Sequence, residues 1–190
     1  MIGVISALGA AISWTYACFI WRSQTKKYKS IDINLLKNII AFLIFLPALI
    51  NINSEYDFKI IITLLISGII GIGLGDTFYI KSLQLIGTRR TLSLETLSPI
   101  LATLSGEIFI KENLSIQSYL GIIIISISLF LLLMKKKDIT SDESSIIKKK
   151  SNLRDYLIPF LSVLCAVTGG LLSRMVFLQS NLSAFQTTEI

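Results

Sequence analysis

The sequence contains no histidine, only two cysteines and few charged residues, and each shortage excludes a class of protein. Without histidine, a His-based catalytic triad and a His-ligated metal site are excluded. Cys18 and Cys165 both lie inside apolar runs, which excludes a disulfide framework and a Cys-rich zinc site. Charged residues make up 16% of the 190 residues and hydrophobic residues 53%, and the mean hydropathy is +0.72. Soluble domains contain about 25% charged residues. Disorder, a basic nucleic-acid-binding domain and an ordinary cytosolic enzyme are therefore excluded.

Six apolar runs account for this composition. Each comes close to the length of about 20 residues that a helix needs to cross the hydrocarbon core of a membrane. The runs are too long and too uniformly apolar for barrel strands, which alternate polar and apolar residues over about 10 positions. The predicted fold class is therefore all-α, a polytopic transmembrane helical bundle. Its predicted spans are residues 2–21, 33–50, 60–80, 91–110, 116–134 and 156–178.

The basic residues predict the orientation of the bundle. Fourteen of the 18 lie in the connectors after the first, third and fifth runs, whereas the second and fourth connectors contain only Lys59 and Lys111. Cytoplasmic loops are enriched in Lys and Arg, so we predict a multi-pass inner-membrane protein with its N-terminus outside. The fifth connector, residues 135–155, is predicted to be a solvated cytoplasmic linker. Binding of anionic lipid headgroups by its two lysine triplets is the alternative.

The sixth run begins like the first. From Ser6 and from Ser162, both runs have Leu at the third position and Ala at the fifth. Residues 179–189, which follow the sixth run, contain no Lys or Arg, as expected if a second repeat enters the membrane from the opposite side. The chain is then expected to be a truncated protein, unless its last segment is a complete short tail. The predicted organisation is a five-helix repeat over 1–134, a linker over 135–155 and the start of a second, inverted repeat over 156–190.

The fourth run carries two acids and a proline at helical spacing. Glu95, Pro99, Thr103 and Glu107 recur every four residues and so share a helical face. A charge at the bilayer centre costs about 2.5–3.5 kcal/mol, so this face is predicted to line a water-filled cavity that binds substrate or protons. Pro99 has no N–H for the carbonyl of Glu95, which predicts a kink.

Asp76 and Glu95 lie near the inner ends of the third and fourth runs, where they are predicted to be neighbours. They form either a proton or substrate site or the solvated ends of ion pairs near the interface. Lys37, early in the second run, is expected to extend to the membrane surface in the same way. Trp14 in the first run is a candidate cavity wall or a packing residue. The candidate ion-pair partners of the two acids are Lys81, Arg89 and Arg90.

Small residues at four-residue spacing predict close helix packing. Two such stripes are Ser67, Gly71 and Gly75 in the third run, and Ser98, Ala102 and Gly106 in the fourth. The glycine-rich stretch 71–76 lies in an apolar run and lacks the last glycine of a nucleotide-binding loop. No catalytic residue, cofactor or metal is predicted.

Residues 75–121 resemble the EamA-type transporters of the drug/metabolite transporter superfamily. The resemblance lies in an aromatic and a small-Leu pair at the end of the third helix, a glycine and a basic residue, a proline in the fourth helix and a Glu-x-Leu connector. Outside this stretch, Trp14 and Lys37 match residues that the family often has in its first two helices. Within it, the matching residues are Tyr79, Ser82, Leu83, Gly87, Arg90, Pro99, Glu112, Leu114 and Gly121.

The resemblance covers 1–134 as one repeat and 156–190 as the start of another. It implies a ten-helix carrier of small metabolites or drugs, driven by an ion gradient or by substrate exchange, with its cavity between the repeats. Its expected partners are the lipid bilayer, a small-molecule substrate and either a missing second repeat or a second copy of the chain. A half-transporter that is active only as a dimer and a non-transporting accessory subunit are the alternatives.

Overall fold

In a computed structural model, residues 2–46, 57–111, 115–134 and 153–179 are described, and these residues are mainly helical and contain no strand. The predicted all-α bundle is thus confirmed. Two π-helical segments interrupt the α-helices, one at Ile69–Gly75 and one at Gly106–Ile110. The α-helices are α1 (Ile2–Gln24), α2 (Ser30–Phe45), α3 (Phe58–Gly68), α4 (Asp76–Ile86), α5 (Thr88–Glu95), α6 (Leu97–Ser105), α7 (Ile116–Met134) and α8 (Leu153–Gln179).

Three helical stretches within the described residues are long and apolar enough to cross a membrane. They are Gly3–Gln24, Phe58–Ile86 and Tyr156–Leu178, and Ile116–Ser128 is a shorter apolar helix. We call Phe58–Ile86, which comprises α3, the first π segment and α4, the third span. The last three residues of the predicted linker 135–155 belong to α8, and the rest of that linker lies outside the described residues, as does 180–190. The chain is a multi-pass membrane protein.

The fourth predicted span is two helices rather than one. α5 ends at Glu95, α6 begins at Leu97, and Thr96 lies between them with its Oγ1 donating a hydrogen bond to the Ser93 carbonyl at 2.7 Å. Pro99 is the third residue of α6 and cannot donate to the Glu95 carbonyl. The break therefore falls directly after Glu95, at the carbonyl that the proline deprives of a partner.

Helix α8 packs along the first small-residue stripe. An added Cβ at Gly169 would lie 2.7 Å from the Cα of Gly71, so the two backbones meet directly. The Ser67 hydroxyl donates to the Gly169 carbonyl at 2.7 Å, and the Ser162 hydroxyl donates to the Gly75 carbonyl at 3.0 Å. Small residues thus allow a close approach that hydrogen bonds then fix.

The second small-residue stripe is only partly covered. Gly106 is buried and Ser98 is half-buried, whereas Ala102 is exposed. Helix α6, which carries Ser98 and Ala102, lies against both α7 and α8. Only part of this stripe therefore lies at a helix contact among the described residues.

The first π segment is bound by a side chain from α2. A π turn leaves backbone carbonyls displaced from their usual partners. The buried Asn34 places its Nδ2 3.0 Å from the carbonyl oxygens of Ile72 and Gly73 and 3.0 Å from the Thr77 Oγ1. One amide thus stabilises an irregular helix that lies directly before Asp76.

Replacing Asn34 by alanine is expected to destabilise the bundle by about 1–3 kcal/mol, because three part-buried acceptors lose their donor. Thermal unfolding in detergent measures the effect. Asn38→Ala is the matched control on the same helix, since the Asn38 Nδ2 makes only a 3.4 Å contact to the Asn34 Oδ1. Equal losses of melting temperature in the two variants would show that the π segment does not depend on Asn34.

Candidate functional site

Five polar and aromatic side chains lie at a similar depth in the bundle. The last turn of α1 and the last turn of α4 are neighbours, because the Gln84 Nε2 donates to the Thr25 carbonyl at 3.1 Å. Helices α1 and α4 end on this side of the bundle, and α2 and α5 begin there. The five side chains lie seven to ten residues from these helix ends, which is about 10–15 Å at the rise of an α-helix. We call them the polar layer: Trp14 of α1, Lys37 of α2, Asp76 and Tyr79 of α4, and Glu95 of α5.

The turn between α4 and α5 pairs two members of the polar layer. Gly87 has φ 88° and ψ 161°, a conformation that is essentially restricted to glycine. Tyr79 and Glu95 are each eight residues from Gly87, on opposite sides of it. Two helices that reverse at a tight turn place equidistant residues at the same depth, so this hairpin brings the phenol and the carboxyl group together.

The carboxylate of Asp76 forms an ion pair with Lys37. The two side chains are 23% and 21% exposed, and the Lys37 ammonium lies 5.6 Å from the centroid of the Trp21 ring. Lys37 therefore points into the bundle instead of extending to the membrane surface, because α2 lies against α4. The sequence names Lys81, Arg89 and Arg90 as candidate partners, whereas the ion pair of Asp76 in the described part of the chain is with Lys37.

Glu95 has different surroundings from Asp76. Its carboxyl group faces the Tyr79 hydroxyl and the Trp14 indole, both of which are hydrogen-bond donors, and it is close enough to Asp76 for the two charges to interact. The Tyr79 hydroxyl also lies 3.0 Å from the Cys18 Sγ. The structure thus places Asp76, Glu95 and Trp14, three of the predicted site residues, in one cluster.

Three aromatic rings pack beside the two carboxylates. The centroid of the Trp14 ring is 5.4 Å from that of Trp21 and 5.6 Å from that of Tyr79. Trp21 and Tyr79 meet edge to face at 6.5 Å. Tyr79 is 4% exposed, whereas Trp14 is 38% exposed. Of the two rings that face Glu95, Tyr79 is therefore buried and Trp14 is accessible.

An open groove adjoins Glu95 on the side of α6 and α7. Its volume is about 300 Å³, which is at the small end of ligand-binding sites. Four of its five lining residues are Leu92, Thr96, Pro99 and Ile125, and the fifth is Glu95 itself. The carboxyl group thus lies between the aromatic rings and a mainly apolar groove.

Glu107 and Thr103 lie away from the polar layer. Glu107 accepts a hydrogen bond from the Tyr119 hydroxyl of α7 at 2.7 Å, and the Thr103 hydroxyl donates to the Pro99 carbonyl at 2.6 Å. The expected common face with Glu95 requires one regular helix, but the chain breaks at Thr96 and turns into a π-helix at Gly106–Ile110. Glu95 and Glu107 therefore have separate partners on different helices.

Sequence reasoning missed the parts that Lys37, Trp21 and Asn34 play. The available signal for Lys37 was a single cation inside an apolar run that also matched a family position. No pattern in the sequence indicated Trp21 or Asn34, because their contacts depend on how helices rotate against each other. Among the described residues, no group of three or more Cys, Asp or Glu side chains could hold a metal ion.

A comparison with known protein families identifies a match for this chain. The EamA-like transporter family matches residues 1–134, which is more than half of the chain. No curated protein and no solved structure matches the sequence. The matched region contains the whole polar layer and the groove beside Glu95. The chain belongs to the EamA-like transporter family.

Proposed function

We propose that this chain is a secondary transporter of small metabolites or drugs and that its solute binds at the polar layer and in the adjoining groove. Membership of the family indicates a membrane transporter of the drug/metabolite type. The observation that carries the finer proposal is the meeting of Asp76, Glu95 and Lys37 inside one layer of an apolar bundle. Ionisable residues within membrane spans are costly and usually mark a pathway for a solute or an ion.

The two carboxylates have different roles in this proposal. Asp76 is neutralised by Lys37, so it fixes α2 against α4. Glu95 interacts with neutral donors and borders the groove, so it is the group that meets the solute or a coupling proton. The helix break at Thr96 lies beside it, between α5 and α6. We propose that the two helices move relative to each other at this break when Glu95 binds the solute.

The groove beside Glu95 is open at one side, and a second bundle would enclose it. We propose that this second bundle is a further repeat or another copy of the chain, related to the first by inverted topology. We propose an inner-membrane location, and the positive-inside rule supports an orientation with the N-terminus outside and the linker 135–155 in the cytoplasm. In that orientation the polar layer lies in the cytoplasmic half of the membrane.

Transport by reconstituted protein tests the proposal. Proteoliposomes are incubated with radiolabelled amino acids and with benzyltrimethylammonium, with and without a pH gradient. We expect at least one solute to enter faster than into protein-free vesicles, and Glu95→Gln to reduce that rate by at least tenfold. Loss of the charged carboxylate removes the group that the solute or the proton meets, whereas the isosteric amide keeps the packing.

Glu107→Gln is the matched control, because Glu107 lies in the same predicted span but contacts Tyr119 of α7. It is expected to retain most of the transport rate. Vesicles that move no solute of the panel faster than protein-free vesicles would favour the accessory-subunit alternative. Equal losses in the two variants would place the pathway elsewhere in the bundle.

A further inference from the structure

Two side chains hold the turn between α1 and α2 against the turn between α4 and α5. The Gln84 Nε2 of α4 donates a hydrogen bond to the Thr25 carbonyl at 3.1 Å. The Arg22 guanidinium of α1 lies against Gly87, where a side chain would displace it, and its Nη1 is 3.5 Å from the Thr88 Oγ1. The two turns therefore lie side by side at one end of the bundle.

The two turns carry five exposed basic side chains. The apolar stretch Gly3–Gln24 and the third span both end directly before these turns, so the basic side chains lie where the helices leave the hydrocarbon core of the membrane. Asp32 is the one acidic residue within 22–35 and 81–94, so positive charge dominates this surface. We call the five side chains the basic patch: Lys26, Lys27, Lys29, Arg89 and Arg90.

The α2 side of the basic patch continues into an apolar surface. Tyr28 lies between two lysines of the patch, and Ile31 and Leu35 follow it on α2; all three are more than half exposed. Residues four apart lie on the same side of a helix, so Ile31 and Leu35 form one apolar strip. Tyrosine is enriched at the boundary between membrane and water. The surface is thus cationic at its outer end and apolar where it enters the membrane.

We propose that the basic patch binds the headgroup of an anionic phospholipid, whose acyl chains lie along Ile31 and Leu35. The lipid phosphate accepts charge-assisted hydrogen bonds from the ammonium and guanidinium groups. Membrane ligands gain both from charge attraction and from buried apolar area, and inorganic phosphate would gain only the first. The proposal is independent of transport, because it uses only the position of the two turns at the membrane surface.

A headgroup bound at the two turns contacts the ends of four helices. Helices α1 and α4 end at these turns, and α2 and α5 begin there. The same four helices carry the whole polar layer. A ligand that binds only the assembled arrangement stabilises it by mass action. Anionic phospholipid is therefore expected to raise the free energy of unfolding of the bundle.

Thermal unfolding of the full chain in an uncharged detergent tests the proposal. The protein is titrated with dioctanoyl-phosphatidylglycerol, with dioctanoyl-phosphatidylcholine and with inorganic phosphate. We expect phosphatidylglycerol to raise the melting temperature saturably, at roughly tenfold lower concentration than phosphatidylcholine. Inorganic phosphate is expected to cause no comparable rise. High salt is expected to weaken the effect of phosphatidylglycerol, because exposed charges are screened.

Variants locate the headgroup. The triple variant Lys26→Gln, Lys27→Gln and Lys29→Gln is expected to require roughly tenfold more phosphatidylglycerol for the same rise of melting temperature. Arg89→Gln is expected to weaken the response as well, because the headgroup contacts both turns. The two lysine triplets of the linker 135–155 remain in these variants, so the loss is specific to the basic patch.

The double variant Lys59→Gln and Lys111→Gln is the matched control. These two lysines are exposed and lie at the opposite ends of the third and fourth predicted spans, so the response to phosphatidylglycerol is expected to persist. An unchanged response in the triple variant would overturn the proposal. So would equal responses of the unmodified chain to both lipids, or an equal response to inorganic phosphate. The comparison of the three ligands uses the unmodified chain and stays decisive even if a variant fails to fold.

Discussion

Gly169→Ala is expected to separate α8 from the third span. The added Cβ would lie 2.7 Å from the Gly71 Cα and 2.9 Å from both the Gly71 nitrogen and the Ser67 carbonyl oxygen. All three atoms belong to the backbone, so no side-chain rotation relieves the clash. Overpacking of this kind costs about 1–3 kcal/mol, and the loss of the Ser67 hydrogen bond to the Gly169 carbonyl adds to it.

The measurement is the melting temperature in detergent, together with disulfide cross-linking between cysteines placed on α8 and on the third span. Gly170→Ala is the matched control, since an added Cβ there meets no atom within 4 Å. Both substitutions raise helix propensity to the same extent, so the difference between them isolates the contact. Equal melting temperatures for the two variants would mean that the helices do not meet at Gly169.

Removing one member of the Lys37–Asp76 ion pair is also expected to lower the stability of the bundle strongly. Lys37→Met leaves the Asp76 carboxylate without its ion-pair partner in a part-buried position, and the loss is expected to cost about 1–3 kcal/mol. Lys37→Met combined with Asp76→Asn removes both charges and is expected to recover most of the lost stability. The double-mutant cycle, measured by thermal unfolding, gives the coupling between the two side chains.

Lys81→Met provides the comparison for this cycle, because Lys81 lies on α4 beside the layer but is exposed. Its effect on the melting temperature is expected to be small, since exposed charges contribute little. If the double variant is as unstable as the sum of the two single variants, the side chains are not coupled. The ion pair would then not be what joins α2 to α4.

Much of the fold follows from the sequence because the membrane imposes length and composition on each span. The third predicted span and the fifth and sixth runs are helices in the structure. The nearness of Asp76 and Glu95 also follows, since consecutive spans joined by a short turn place their adjoining ends together. The ion pair with Lys37 does not follow, because it depends on the rotation of α2 about its own axis.

In the fourth predicted span, helical spacing alone did not predict which side chains lie together. A four-residue repeat aligns Glu95 with Glu107 only while the helix remains regular. The break at Thr96 and the π segment Gly106–Ile110 change the rotation per residue between the two acids. The proline was visible in the sequence, but the π segment had no signal that pointed to it. Glu107 consequently accepts a hydrogen bond from Tyr119 of α7, a contact that the residue spacing could not predict.

The turn at Gly87 constrains the lengths of α4 and α5, the two helices that it joins. Tyr79 and Glu95 face each other because the arms on either side of this residue are equally long. One residue added to either arm would rotate its side chain by about 100° and shift it by about 1.5 Å along the axis. Insertions in this hairpin are therefore compatible with a phenol–carboxyl pair only when both arms lengthen together, by close to whole turns.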